Sequence, residues 1–227
     1  VENNVLREQL AYYRARAQEY DESVQQTGRF ASPEPQDENI DREWAQIVTV
    51  IHALPHCKHV LELACGTGMW TQELLRIGAS ITALDGAPEM LDVNRAKLGS
   101  PRVQYECVDL FDWQPDREYD LVFFGFWLSH VPPEQLGSFL ENVARATRPG
   151  GQVFIVDEPA GGHQLSGSTE ATDQQTRTLH AGRTFQIVKV YYDPAAIQEQ
   201  LRQRGFAQFS AMKGEYFFYL SGMSMTC

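Results

Sequence analysis

Cysteine is scarce in this chain of 227 residues, and the four present (Cys57, Cys65, Cys107 and Cys227) are scattered. No two have metal-ligand spacing, and Cys65 and Cys107 fall in apolar runs, so reduced, buried thiols and no metal site are expected. Long hydrophobic runs are also missing: none approaches the ~18 apolar residues of a membrane-spanning helix. The opening VENNVLREQLAYY lacks the basic-then-apolar pattern of a secretory signal, so a cytoplasmic protein with no membrane partner is expected. Positive charge is the scarcer sign, with 19 Lys and Arg against 30 Asp and Glu and a net charge of −11. Such a surface repels polyanions at long range, which argues against nucleic acid as a partner. Internal repeats, coiled-coil heptads and low-complexity stretches are absent.

What is there is ordinary globular composition, 43% hydrophobic and 22% charged, in a length that suits one compact domain. Leu6, Leu10, Tyr13, Ala17 and Tyr20 recur at helical spacing over the first 25 residues. Gly28 and the stretch from Ser32 to Asn39, with Pro33 and Pro35, read as a loop. A second helix is expected from Ile40 to Leu54. Short apolar runs then alternate with helical ones: strands at Val60–Ala64, Ser80–Leu84, Val103–Val108, Tyr119–Phe124 and Gln152–Asp157, helices at Trp70–Arg76, Pro88–Lys97 and Pro133–Ala146. That alternation implies an α/β fold, a doubly wound and mostly parallel sheet covered on both faces. Gly161–Gln175 reads as a loop. Thr184–Tyr192 reads as a strand with Phe185, Ile187, Lys189 and Tyr191 on one face, Pro194–Arg204 as a helix, and Phe206–Met212 with Tyr216–Gly222 as a final hairpin. Residues 1–54 would then be an N-terminal helical lid with a first wrapping helix, and residues 55–227 the catalytic body.

One segment carries chemistry. Val60-Leu61-Glu62-Leu63-Ala64-Cys65-Gly66-Thr67-Gly68-Met69-Trp70 is a strand ending in a glycine turn that opens a helix. Gly66 and Gly68 let backbone bend and approach a ligand where a Cβ would collide. Asp85 ends the next strand, where a carboxylate can accept both hydroxyls of a ribose. The third glycine of the dinucleotide fingerprint is missing, and no GxxxxGK follows to cradle a triphosphate, so a pyrophosphate cofactor is disfavoured.

The run Glu62-Leu63-Ala64-Cys65-Gly66-Thr67-Gly68 resembles motif I of the class I S-adenosylmethionine-dependent methyltransferases. The resemblance implies a seven-stranded Rossmann-like sheet and S-adenosylmethionine as cofactor. It also implies Asp85 as the ribose ligand, with Gly86 and Met90 nearby, and Asp109-Leu110-Phe111 bracketing adenine. Gly125-Phe126-Trp127-Leu128-Ser129-His130-Val131 resembles the family's active-site segment after strand four, with Gly125 close to the methionine moiety. Arg148-Pro149-Gly150-Gly151 resembles its turn before strand five. Glu62, Ala64, Gly66, Gly68, Trp70 and Tyr20 complete the cofactor contacts expected on this basis. Gly125-Phe126-Trp127 stands where amino-methylating relatives carry Asn/Asp-Pro-Pro-Tyr/Phe, which favours oxygen over nitrogen as the methylated atom.

A closer resemblance runs over Tyr12–Asp21, Asp109–Trp113, Arg177–Leu179 and Gly182–Val190, which are similar to small bacterial O-methyltransferases that esterify phosphonates in antibiotic biosynthesis. The residues permit a parallel argument. Arg177, Arg183 and Lys189, with His180 between them, are a cationic cluster in an acidic protein; converging, they would hold a phosphonate or carboxylate, and scattered they would be surface ion-pair partners. The N-terminal helix would act as a lid, Tyr13, Arg16 and Tyr20 closing over both ligands or else facing the core, with Trp127 and His130 as further substrate contacts. An acidic oxygen needs only positioning; a sugar or alcohol hydroxyl needs a base, for which His130 is the candidate. A cofactor-binding protein without catalysis is the remaining alternative.

Overall fold

The structure is a computed structural model and describes residues 2–24, 37–160, 173–180 and 182–225. It begins with α1 (Glu2–Arg16), a 3-10 turn at Ala17–Glu19, α2 (Tyr20–Val24) and α3 (Glu38–His52). The alternating portion follows as β1 (Cys57–Leu63), α4 (Met69–Leu74), β2 (Gly78–Asp85), α5 (Pro88–Leu98), β3 (Val103–Cys107), β4 (Tyr119–Gly125), α6 (Pro133–Ala146) and β5 (Thr147–Asp157). The last third holds β6 (Gln174–Thr178), β7 (Thr184–Val188), α7 (Pro194–Gln203), β8 (Phe206–Lys213) and β9 (Phe218–Ser224).

Seven strands form one sheet in the order β3-β2-β1-β4-β5-β9-β8. β1 to β5 run parallel, while β9 is antiparallel to β5 and to β8. The central strands are apolar on both faces because both are covered. Leu61, Leu63, Val122 and Phe124 pack to one side with Leu140 of α6 and Leu201 of α7. Val60, Leu121 and Phe123 pack to the other with Ile47 and Ile51 of α3 and Leu74 of α4. Each such side chain stabilises the fold by about 1.5–3 kcal/mol when fully withdrawn from water. β1 lies between β2 and β4, so the winding direction reverses there, and a crevice opens at the strands' carboxyl ends.

α1 lies over that crevice. Leu6, Gln9, Leu10 and Tyr13 share its lower face at helical spacing, and Tyr12 packs upward on Phe185, Ile187 and Leu179 of the β6–β7 hairpin. Arg14 reaches Glu89 of α5 through Nε at 3.0 Å and Nη2 at 2.9 Å. Asp21 of α2 pairs with Lys97 and accepts from the Thr67 hydroxyl in the glycine turn.

Several boundaries differ from the sequence reading, each for a local reason. α3 starts at Glu38, two residues early, because the Asp37 side chain accepts the Asn39 N–H at 2.8 Å and caps the helix. Residues 25–36, which include Gly28 and residues 32–36 of the expected loop, lie outside the described residues. Arg148–Gly151 is absorbed into β5 as an irregularity: Tyr119 pairs with Thr147 and Leu121 already with Gln152. The strand expected at Thr184–Tyr192 stops at Val188 and stays out of the main sheet, pairing antiparallel with β6 instead. β6 reads QQTRT and has no apolar run, so only its partner makes it a strand. Of the loop expected over Gly161–Gln175, residues 161–172 lie outside the described residues, as does Cys227.

Candidate active site

The crevice is a partly open cleft between α1 and the carboxyl ends of the strands. Its floor is made by the ends of the parallel strands. Ala64 and Gly66 follow β1, Asp85 and Gly86 end β2, Asp109, Leu110 and Phe111 follow β3, and Gly125 ends β4. Met90 contributes from α5. Tyr13 and Tyr20 form the roof, and Phe126, Trp127 and His130 the wall after β4. Leu6, Gln9 and Leu10 are lining residues that the sequence reading missed, with the helical spacing of Leu6 and Leu10 with Tyr13 as the available signal, and Phe126 lines the cleft from within the expected segment after strand four.

The glycine turn works in two different ways. Gly66 has φ +51, and a Cβ there would meet no atom within 4 Å, so the space above it belongs to the cleft. Gly68 has φ +90 at the N-cap of α4, but a Cβ there would sit 2.5 Å from Asn94 Oδ1. Gly68 is therefore required by the neighbouring α5 side chain and does not line the cleft. Asp85 accepts the Gly66 N–H at 2.9 Å and the Ala87 N–H at 2.8 Å, which holds its carboxylate at the cleft rim. Burial nevertheless pushes its pKa up to about 6.

Glu62 and Trp70 stand behind the floor. Glu62 is 1% exposed, Oε2 has no hydrogen-bond partner, and burial raises its pKa to about 8. Trp70 stacks on Trp44 with ring centroids 4.4 Å apart, and its Nε1 lies 2.3 Å from where a Cβ on Gly125 would be. Gly125 is thus glycine because an indole fills its side.

At the other end of the cleft, His130 is buried and held from both sides. Its Nδ1 lies 2.7 Å from the Val188 carbonyl oxygen and its Nε2 2.7 Å from Tyr13 Oη. The carbonyl can only accept, so Nδ1 carries the proton. Burial holds the His130 pKa well below its usual value, and Lys189, Arg177 and Arg16 push it in the same direction. The imidazole is therefore neutral, Nε2 is an acceptor, and the Tyr13 hydroxyl donates to it. Burial also lifts the Tyr13 pKa well above its usual value. Gln9, 3% exposed, ties these pieces together: Oε1 accepts the Val188 N–H at 2.9 Å and Nε2 approaches the His130 carbonyl at 3.4 Å.

The expected cationic cluster is brought together only in part. Arg177 on β6 donates to Gln175 at 2.9 Å, and Lys189 just past β7 donates to Ser129 at 3.0 Å and Glu158 at 3.1 Å. Both act electrostatically on His130, joined by Arg16 of α1, whose guanidinium lies 4.7 Å from the Tyr20 ring centroid. His180 and Arg183 are exposed at the hairpin tip, where Leu179 N–H bonds the Arg183 carbonyl and closes the turn; Arg183 covers Phe185. No group of three His, Cys, Asp or Glu side chains suited to a metal ion occurs among the described residues. No helix among the described residues is long and apolar enough to cross a membrane.

The donor set fits S-adenosylmethionine: a carboxylate at the end of β2, open space over Gly66, and a cleft that both of them line. Residues 60–151 match the family model described as a methyltransferase domain. The ubiquinone biosynthesis O-methyltransferase of Coxiella burnetii is 32% identical over 101 residues, covering 43% of this chain and 42% of that protein. The chain thus matches less than half the length of that curated relative. The structure of DhpI with SAH is 35% identical with a TM-score of 0.79, covering 97% of each chain. That of DhpI with SAM and HEP is 36% identical with a TM-score of 0.80, covering 96% of this chain and 97% of that one. Close relatedness to DhpI along nearly the whole chain, on a sheet of this order with its crevice at β1, places the protein in the class I S-adenosylmethionine-dependent methyltransferases.

Proposed function

We propose that the protein methylates an acidic oxygen of a small molecule, a phosphonate first and a carboxylate second. One observation carries this reading: the Tyr13–His130 pair lines the cleft, and Arg16 of α1, Arg177 of β6 and Lys189 after β7 bring positive charge near enough to it to hold His130 neutral. Guanidinium groups such as those of Arg16 and Arg177 bind oxyanions through charged hydrogen bonds and fix their orientation, while Lys189 stays on Ser129 and Glu158. The likeness to phosphonate O-methyltransferases in the sequence, and that of the fold to DhpI with SAM and HEP, support the same acceptor. When bound, S-adenosylmethionine supplies an electrophilic methyl group. Asp85 would hold the ribose, Asp109 to Phe111 the adenine end, and Gly125 with Ala64 and Gly66 the remainder. Residues 1–54 would serve as lid and wrapping helix, with Tyr13 and Tyr20 excluding water from the bound pair. Residues 55–227 would form the catalytic body. A cytoplasmic place completes the reading, in keeping with free thiols at Cys57 and Cys65, which are buried as expected, and at Cys107, which is exposed contrary to expectation.

A hydroxyl acceptor with His130 as base is the second reading, favoured by Nε2 being an acceptor 2.7 Å from the Tyr13 hydroxyl, with both residues lining the cleft. An acceptor screen with labelled methyl donor, covering short phosphonates, fatty acids, methylated sugars and phenols, separates the two. Arg177→Ala is expected to lower kcat/KM for the phosphonate by about 10²-fold, the size of losing one charged hydrogen bond in a buried site. His130→Ala is expected to cost less than about tenfold, since an acid needs no base. The opposite ranking, with activity on sugars or phenols alone, would sink the acidic acceptor.

A further inference from the structure

The hydrogen-bond polarity at the acceptor end selects a protonation state, an inference that rests on the acidic acceptor proposed above. The Val188 carbonyl takes the one proton of a neutral His130, so Nε2 must accept and the Tyr13 hydroxyl must donate to it. The hydroxyl of Tyr13, a residue that lines the cleft, therefore has lone pairs and no proton left to offer a ligand. The groups around this pair leave that polarity intact. From α1 they are Tyr12, whose ring is 5.1 Å from that of Tyr13, and Arg16; from α2, Tyr20 at 6.4 Å. From the hairpin they are Arg177 and Lys189, and from the end of β5 the carboxylates Asp157 and Glu158. Lys189 is already directed at Ser129 and Glu158, and Asp157 accepts the Ser129 N–H at 2.9 Å.

A fully ionised tetrahedral acid would set its own lone pairs against those of Tyr13. A monoanion of a diprotic acid offers both things the site asks for: charged oxygens for Arg16 and Arg177, and one O–H for Tyr13 Oη. We infer that the acceptor is taken up as this proton-bearing monoanion, as a phosphonate can be near neutral pH, with its remaining proton donated to Tyr13. A carboxylate or sulfonate has no such proton at neutral pH and is the poorer ligand. Tyr13 and His130 are then specificity-determining residues, His130 acting through the polarity it imposes on Tyr13.

The test is calorimetry of ethylphosphonate and its α,α-difluoro analogue, whose second pKa is lower, binding to the full-length protein with S-adenosylhomocysteine present so that no transfer occurs. Buffers of differing ionisation enthalpy give the protons taken up. Above its second pKa, each acceptor is expected to take up one proton on binding, with affinity falling about tenfold per pH unit. The onset is expected at lower pH for the fluorinated acceptor. In His130→Phe, Tyr13 is released to donate, so uptake is expected to fall towards zero and the dianion to bind. Zero uptake by the wild type, an onset at one pH for both acceptors, or unchanged uptake in His130→Phe overturns the inference. If the variant does not fold, the two-acceptor comparison on the wild type decides alone. Binding of neither phosphonate at any pH overturns the acidic-acceptor reading, and this inference with it.

Discussion

Glu62 makes the protein's stability depend on pH in a way that a single substitution exposes. Its carboxyl is withdrawn from water behind the glycine turn, helped by hydrogen bonds from Thr71 and opposed by the charge of Asp85. Burial dominates and lifts its pKa from 4.5 to about 8. A carboxyl with a raised folded pKa favours the native state in its protonated form. That contribution is complete below about pH 4.5 and disappears as the pH rises through 8. The difference, 8 − 4.5, is about 3.5 units, and at about 1.36 kcal/mol per unit the loss approaches 5 kcal/mol, with water entry making this a ceiling. Against a total of roughly 5–15 kcal/mol for a domain, this is large. Glu62→Gln removes the titration and keeps an acceptor for Thr71. Urea unfolding of the cofactor-free protein at about pH 5, 7 and 9 measures the consequence. The wild type is expected to weaken steadily, while Glu62→Gln follows a flatter line and is the more stable by several kcal/mol at the alkaline end. Asp85, raised to about 6, titrates in both proteins and cancels in the comparison to first order. Parallel lines would show that burial does not raise the Glu62 pKa.

Two further substitutions probe the packing that shapes the cleft. Gly125→Ala places a Cβ 2.3 Å from Trp70 Nε1, and because Trp70 is pinned against Trp44 the overpacking is expected to cost about 1–3 kcal/mol in thermal unfolding and to weaken S-adenosylmethionine binding; an unchanged Tm would mean that the indole moves freely. Gln9→Ala strips a partner from the Val188 N–H and the His130 carbonyl, so hydrogen exchange along α1 is expected to quicken by about tenfold or more, and unaltered protection would remove Gln9 as the tie between α1 and the hairpin.

The sheet and the cofactor end of the cleft were legible in the sequence because they are made locally. Apolar runs such as Val60–Leu63 and Leu121–Phe124 can be buried on both faces only inside a covered parallel sheet. The carboxyl end of each strand then falls on the crevice whatever the loops do, which is why Ala64, Asp85, Asp109 and Gly125 line one wall. The His130 end is assembled from α1, the segment after β4 and the β6–β7 hairpin, with partners such as Gln9 and Val188 179 positions apart. No periodicity reports such a pairing. Whether Gly68 meets a ligand or Asn94, and whether Arg183 joins Arg177 or caps a hairpin tip, depended on tertiary neighbours in the same way. His130 shows the division plainly. The sequence put an imidazole after the fourth strand, and only the fold, by placing the Val188 carbonyl on Nδ1 and the Tyr13 hydroxyl on Nε2, decided which way its protons point.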